Sequence, residues 1–138
     1  MTFHERSAAT IITILLLIFG TYFAVVIGGV DRSAADFAYK PLLILAVIAL
    51  TALMTVSHIV LALLAPGDAN ALDERDRSIS QRSDQVGAIT LGCTVLTVIS
   101  LAMLEVAHVY IANSLLLGLV LAQIVSEATK LYLYRQAS

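Results

Sequence analysis

The chain has 138 residues and a formal net charge of −2, and 59% of its residues are hydrophobic while 13% are charged. Soluble domains carry about 25% charged residues, so this composition argues against an ordinary soluble protein. No basic cluster is large enough to indicate nucleic acid as a partner. Cys93 is the single cysteine, which excludes an internal disulfide.

Four long apolar runs separate nearly all of the charged residues. They occupy residues 8–30, 41–65, 86–109 and 111–133. A hydrocarbon core of about 30 Å requires about 20 residues of helix, so each run is long enough to cross a bilayer. We predict an all-α fold, a four-transmembrane-helix bundle of two helical hairpins that forms a single integral membrane domain. The first run is too long for the apolar part of a signal peptide, so it is expected to be a retained span.

The third element begins with a charged segment over residues 70–85. Leu72, Ile79 and Val86 recur through it every seven residues, which is a helical spacing. We predict that helix three extends through this segment into the cytoplasm. The charges form either a solvated face with intrahelical ion pairs or a docking surface for a partner. The residues of this charged motif are Asp73, Glu74, Arg75, Arg77 and Arg82.

The distribution of basic residues predicts the orientation in the membrane. Arg32 and Lys40 lie between the first two spans, and the other six basic residues lie at the termini and in the charged segment. The positive-inside rule therefore places both termini and the charged segment in the cytoplasm. The six residues are Arg6, Arg75, Arg77, Arg82, Lys130 and Arg135.

Small residues recur every four positions along the fourth span. Lipid tails are as apolar as leucine, so membrane helices associate through small and polar residues. The stripe predicts close approach of another helix, from the same chain or from a second copy. Threonine hydroxyls in the spans are expected to bond to carbonyls of their own helix. The stripe, named here the α4 packing seam, consists of Ser114, Gly118, Ala122 and Ser126.

Ionisable residues within membrane spans are costly and are therefore functional candidates. Near the outer surface, Glu105 and His108 have the spacing that places two side chains on one helix face. Di-iron helical bundles use Glu-x-x-His ligands, but they require two such motifs and further carboxylates. We interpret the pair as an interfacial ion pair, with a single metal ion or a proton relay as alternatives, and we assign no metal and no cofactor.

A second polar cluster is predicted nearer the cytoplasm. Glu127 and Lys130 are i,i+3 neighbours that can form an ion pair. One interpretation is a structural pair that holds helix four against helix two. The alternative is a protonatable transport site, since histidine titrates near neutral pH. The cluster consists of His58, Gln123, Glu127 and Lys130.

The segment from Leu72 to Gly87 contains Asp73-Glu74-Arg75 followed by Ile79. It resembles a family of small prokaryotic four-span membrane proteins of unknown function, which carry a cytoplasmic Asp-Glu-Arg motif between spans two and three. The resemblance implies the four-span architecture and a location in a prokaryotic inner (plasma) membrane, and it implies no particular activity.

The sequence predicts a membrane protein that acts by helix–helix association, with itself or with a membrane-protein partner. A small proton- or ion-coupled transporter or channel is the alternative, and a metal-dependent membrane enzyme comes third. No Gly-x-Ser-x-Gly, His-Glu-x-x-His or phosphate-binding glycine loop occurs, so no catalytic residue is assigned.

Overall fold

The structure is a computed structural model that describes residues 3–30, 39–64 and 74–136. Every regular element in these ranges is a helix, which confirms the all-helical prediction. The four helices are α1 (Phe3–Val30), α2 (Tyr39–Leu64), α3 (Glu74–Met103) and α4 (His108–Gln136). Each is long and apolar enough to cross a bilayer.

Six threonine hydroxyl groups in the apolar stretches of α1, α2 and α3 bond within their own helices. Each donates to the carbonyl four residues earlier, at 2.8–3.0 Å. This bonding removes a polar group that hydrocarbon cannot solvate, and it confirms the prediction made for these side chains. The threonines concerned are Thr13, Thr51, Thr55, Thr90, Thr94 and Thr97.

The chain forms two compact units. One unit contains Met1–Leu15 and Asp73–Ser138, and the other contains Leu16–Leu72. In the first unit, Ala8, Ile11 and Leu15 are buried along one face of α1. Their spacing of three and four residues is the repeat of a helix with a single buried face.

Helix α3 begins in the charged segment and continues without a break into the apolar stretch. It starts at Glu74, so residues 70–73, including Asp73 of the charged motif, lie outside the described residues. Glu74 and Asp76 occupy its first turn, where carboxylates interact favourably with the helix dipole. From Glu74 onward, the charged segment is the first part of α3, as the sequence predicted.

Helices α3 and α4 are joined by a short turn and pack side by side, antiparallel. The turn covers residues 104–107, which is earlier than the predicted boundary between residues 109 and 111. The Val106 N–H donates to the Leu101 carbonyl at 3.2 Å, and the Glu105 N–H donates to the Ala102 carbonyl at 3.1 Å. These two bonds form a Schellman motif, which ends α3.

Contacts between α3 and α4 join residues that are nearly equidistant from this turn. The Tyr134 hydroxyl hydrogen-bonds the Asp76 carboxylate near the far end of the pair. A Cβ atom built on Gly118 would overlap the Thr94 side chain, with the Thr94 Cβ only 2.6 Å away. The two helices therefore share one continuous register from the turn to the charged segment.

The closest approach of the two backbones depends on glycine. A Cβ atom built on Gly87 would lie 3.0 Å from the Ser126 Cβ and 3.1 Å from the Ala122 carbonyl oxygen. Gly118, Ala122 and Ser126 of the α4 packing seam are buried. Three of its four residues are thus enclosed within this chain, and Ser114 is half-buried.

The Gly118→Ala variant should lose stability because the added methyl group has no room beside Thr94. Overpacking of this kind costs about 1–3 kcal/mol. Thermal unfolding in detergent micelles measures the change. Gly92→Ala is the matched control, because nothing lies within 4 Å of a Cβ atom at that position. Equal stability of the two variants would contradict the described seam.

Candidate functional site

Among the described residues, the buried ionisable residue is Glu127 of α4. It is 6% exposed. The Lys130 ammonium lies 3.0 Å from Glu127 Oε1, and Gln123 Nε2 donates to the same oxygen at 3.3 Å. Residues 123, 127 and 130 are one helical turn apart, so α4 alone brings the three side chains together.

A carboxylate from α3 completes the network. The Ser126 hydroxyl donates to Asp84 Oδ1 at 3.3 Å, and the Lys130 ammonium lies 3.9 Å from the same oxygen. Ser80 lies one turn earlier on α3, and its hydroxyl is 3.5 Å from Asp84 Oδ2. Two carboxylates from different helices therefore converge on one ammonium group. We name Asp84, Gln123, Ser126, Glu127 and Lys130 the hairpin network.

Burial decides which part of the hairpin network contributes most to stability. The Asp84 side chain is 65% exposed, so its 3.9 Å pairing with Lys130 is a surface ion pair worth about 0–1 kcal/mol. The Glu127 side chain is only 7% exposed, and leaving a buried carboxylate unpaired costs several times as much. Removing one partner of the Glu127–Lys130 pair is therefore the most costly change in the hairpin network, and Asp84 adds the link to α3.

The structure brings together three of the four residues of the polar cluster predicted nearer the cytoplasm. Gln123, Glu127 and Lys130 are in direct contact. His58 belongs to α2, and its side chain lies outside the described part of the structure. Asp84 was missed because it was grouped with the charged segment. An antiparallel hairpin places residue 84 beside residues 126–130, and that symmetry is the signal that identifies it.

Glu105 and His108, the pair predicted near the outer surface, do not lie on one helix as expected. Glu105 lies in the turn with φ 56°, and His108 is the first residue of α4. The prediction that the two share one face of one helix is therefore wrong, because α3 ends at Met103. Both residues are exposed. No group of three potential metal ligands occurs in residues 3–30, 39–64 and 74–136.

The charged motif lies on the exposed surface of α3. Glu74, Arg75, Arg77 and Arg82 are all exposed, whereas Ile79 and Ser83 are buried beside them. The Ser83 hydroxyl donates to the Ile79 carbonyl at 2.8 Å, so this buried hydroxyl is satisfied. The segment has one face packed in the first unit and one charged face turned to solvent.

The side chains of the hairpin network link α3 to α4. Among the described residues they form no complete catalytic arrangement. No protein-family model, no curated protein and no solved structure matches the chain.

The Lys130→Met variant should be destabilised by about 1–3 kcal/mol, because it leaves the buried Glu127 carboxylate without its counter-ion. Adding Glu127→Gln should recover most of the loss, since a pair of buried charges can be replaced together at small net cost. Chemical unfolding in detergent gives both values. Arg82→Met is the matched control and should change stability by no more than about 0.5 kcal/mol, because Arg82 is exposed. An equal loss in Arg82→Met would contradict the assignment.

The Glu105→Gly variant should raise stability, because glycine adopts the left-handed conformation of residue 105 without steric penalty. The gain expected from relieving a non-glycine residue there is about 1 kcal/mol. Glu105→Ala keeps the penalty and removes the same carboxylate, so it should not show this gain. A larger gain for alanine than for glycine in thermal unfolding would refute the explanation.

Proposed function

We propose that this chain is a multi-pass protein of the prokaryotic inner membrane that acts by helix–helix association, with itself or with a membrane-protein partner. In this proposal the four helices form a bundle of two hairpins, and both termini lie in the cytoplasm. The observation that supports the association most directly is the outward face of α3.

The outward face of α3 lies roughly opposite the face that packs on α4. Gln81, Gln85, Ala88 and Gly92 follow one another along it, and all four are exposed. Nothing lies within 4 Å of a Cβ atom built on Gly92. Small residues at membrane depth and amides near the interface are the groups that drive helix association in lipid.

The register of α3 and α4 supports an earlier end of the fourth membrane span than the sequence predicted. The apolar stretch of α3 starts at Val86, and the antiparallel pairing places Ser126 beside Asp84. Counted from His108 to Ser126, α4 spans about 28 Å at 1.5 Å per residue, close to the thickness of the hydrocarbon core. We therefore propose that α4 leaves the hydrocarbon near Ser126 rather than near residue 133.

Beyond that level, α3 and α4 would continue together as a charged two-helix stem, made of residues 74–84 and 127–136. It contains five of the eight basic residues of the chain, namely Arg75, Arg77, Arg82, Lys130 and Arg135. The positive-inside rule then favours the cytoplasmic side for the stem. The resemblance to four-span proteins with an Asp-Glu-Arg motif in this segment favours the same arrangement.

If the outward face of α3 mediates association, Gly92→Leu should shift a dimer or a partner complex toward the monomer. The bulky side chain would keep a second helix from approaching the α3 backbone. Native mass spectrometry of full-length protein in lipid nanodiscs measures the oligomer. Gly20→Leu is the matched control, since Gly20 is also exposed and has nothing within 4 Å of its Cβ position.

Two outcomes would contradict the proposal. One is a strictly monomeric protein from which no partner co-purifies. The other is a dimer that Gly20→Leu disrupts and Gly92→Leu leaves intact, which would place the association on α1.

The burial of Glu127 favours a second candidate, a small proton- or ion-coupled transporter. This candidate predicts that proteoliposomes show ion flux and that Glu127→Gln abolishes it. Flux that persists after His58, Glu105, His108 and Glu127 are all replaced would exclude the proposed transport sites.

A further inference from the structure

We propose that Arg82 binds the phosphate group of an anionic phospholipid in the cytoplasmic leaflet of the membrane. The inference rests on the proposed membrane placement, in which the hydrocarbon around α3 begins at Val86. Arg82 lies four residues before Val86 on α3, or about 6 Å along the helix. Polar headgroups occupy roughly 5–7 Å on each side of the hydrocarbon core, so Arg82 lies in the headgroup layer.

Arg82 carries a positive charge that no carboxylate of the described residues balances. Its side chain is exposed, and within residues 3–30, 39–64 and 74–136 it forms neither an ion pair nor a hydrogen bond. No acidic residue lies one helical turn away on α3, which excludes an intrahelical ion pair. The residues at those positions are Ser78, Ile79, Gln85 and Val86. A guanidinium group pairs well with phosphate, because it donates two parallel hydrogen bonds to one oxyanion.

Lys130 is proposed to lie at the same level, but its counter-ions belong to the protein itself. It follows Ser126, where α4 is proposed to leave the hydrocarbon, by four residues. The Lys130 ammonium lies 3.0 Å from Glu127 Oε1 and 3.9 Å from Asp84 Oδ1. A lipid phosphate would therefore have to compete with two carboxylates for Lys130, whereas it meets no such competitor at Arg82.

The other basic residues of the stem lie beyond the headgroup layer. Arg77 and Arg75 precede Val86 by nine and eleven residues, which correspond to about 14 and 17 Å of helix. Arg135 lies close to the end of α4, at a similar distance from the hydrocarbon. Within the stem, Arg82 is thus the basic residue that combines the headgroup level with a charge that the protein leaves unpaired.

The side chains next to Arg82 on the membrane side match the acyl chains of the same lipid. Val86 and Ile89 follow Arg82 by four and seven residues, so they lie on the same side of α3, and both are exposed. A cation beside exposed aliphatic side chains complements an amphiphile whose phosphate is joined to hydrocarbon. Free phosphate would gain nothing from Val86 and Ile89, and this favours a lipid as the source of the phosphate.

The test uses the full-length protein in detergent, offered equal amounts of dioleoylphosphatidylglycerol and dioleoylphosphatidylethanolamine. The two lipids have the same acyl chains, so a preference between them reports on the charge of the headgroup. Native mass spectrometry measures the ratio of the two lipids retained by the protein. The wild type should favour phosphatidylglycerol, and Arg82→Gln should lower the ratio about fivefold, equivalent to about 1 kcal/mol.

Two further variants complete the design. Arg77→Gln is the matched control, because it removes the same charge from an exposed position of α3 beyond the headgroup layer, and it should keep the wild-type ratio. Arg82→Lys keeps the charge and loses the two parallel hydrogen bonds, so its ratio should lie between those of the wild type and Arg82→Gln. Because both arginines are exposed, all of these variants should fold normally, which thermal unfolding checks.

Equal ratios for the wild type, Arg82→Gln and Arg77→Gln would overturn the proposal. Displacement of phosphatidylglycerol by millimolar inorganic phosphate would overturn the assignment to a lipid. A wild-type dimer that Arg82→Gln converts into monomers would also overturn the proposal, because a carboxylate of a second copy would then pair with Arg82. A strictly monomeric wild type contradicts the proposed association through Gly92 but leaves the expected lipid ratios unchanged, so the two failures are distinguishable.

Discussion

The close antiparallel packing of α3 and α4 determines where the other features of this part of the protein lie. Apolar burial contributes little between helices in lipid, so the pair is held by backbone proximity and by polar contacts. Gly87 and Gly118 provide the proximity, and the contacts of Asp84 with Ser126 and Lys130 provide the polar link between the helices. The close approaches and the polar contacts share one register, because each joins positions at nearly equal distances from the turn at residues 104–107.

That register has consequences for the rest of the protein. It places the buried Glu127 near the start of the apolar stretch of α3, and the Glu127 carboxylate has an ammonium and an amide as partners there. It turns the buried face of α3 toward α4 and leaves Ala88 and Gly92 exposed on another face. The proposed association of the protein through α3 follows from this division of the two faces.

The length and apolar character of the four helices were predictable from sequence, because they depend only on runs of residues. The pair Glu127–Lys130 was predictable too, since i,i+3 neighbours on a helix meet without help from the rest of the fold. The residue at which α3 ends was not predictable from sequence. Residues 104–107 contain no glycine, proline or asparagine. Glu105 has the left-handed backbone conformation that glycine usually adopts at the end of a helix, so the usual sequence signal is missing. Glu105 and His108 were consequently assigned to one helix. Asp84 was missed for a related reason, since its partner across the pair is identified only once the turn is located.

The most direct test of the central claim is disulfide formation between cysteines introduced at Gly87 and Ser126, with Cys93 replaced by alanine and the protein kept in lipid. A Cβ atom at position 87 would lie 3.0 Å from the Ser126 Cβ, and a small relaxation brings this to the separation of about 3.8 Å found in disulfides. We expect this pair to form an intramolecular disulfide rapidly and a control pair at Gly92 and Ser126 to form none. A bond that forms as readily in the control, or only between separate chains, would contradict the described packing of α3 on α4.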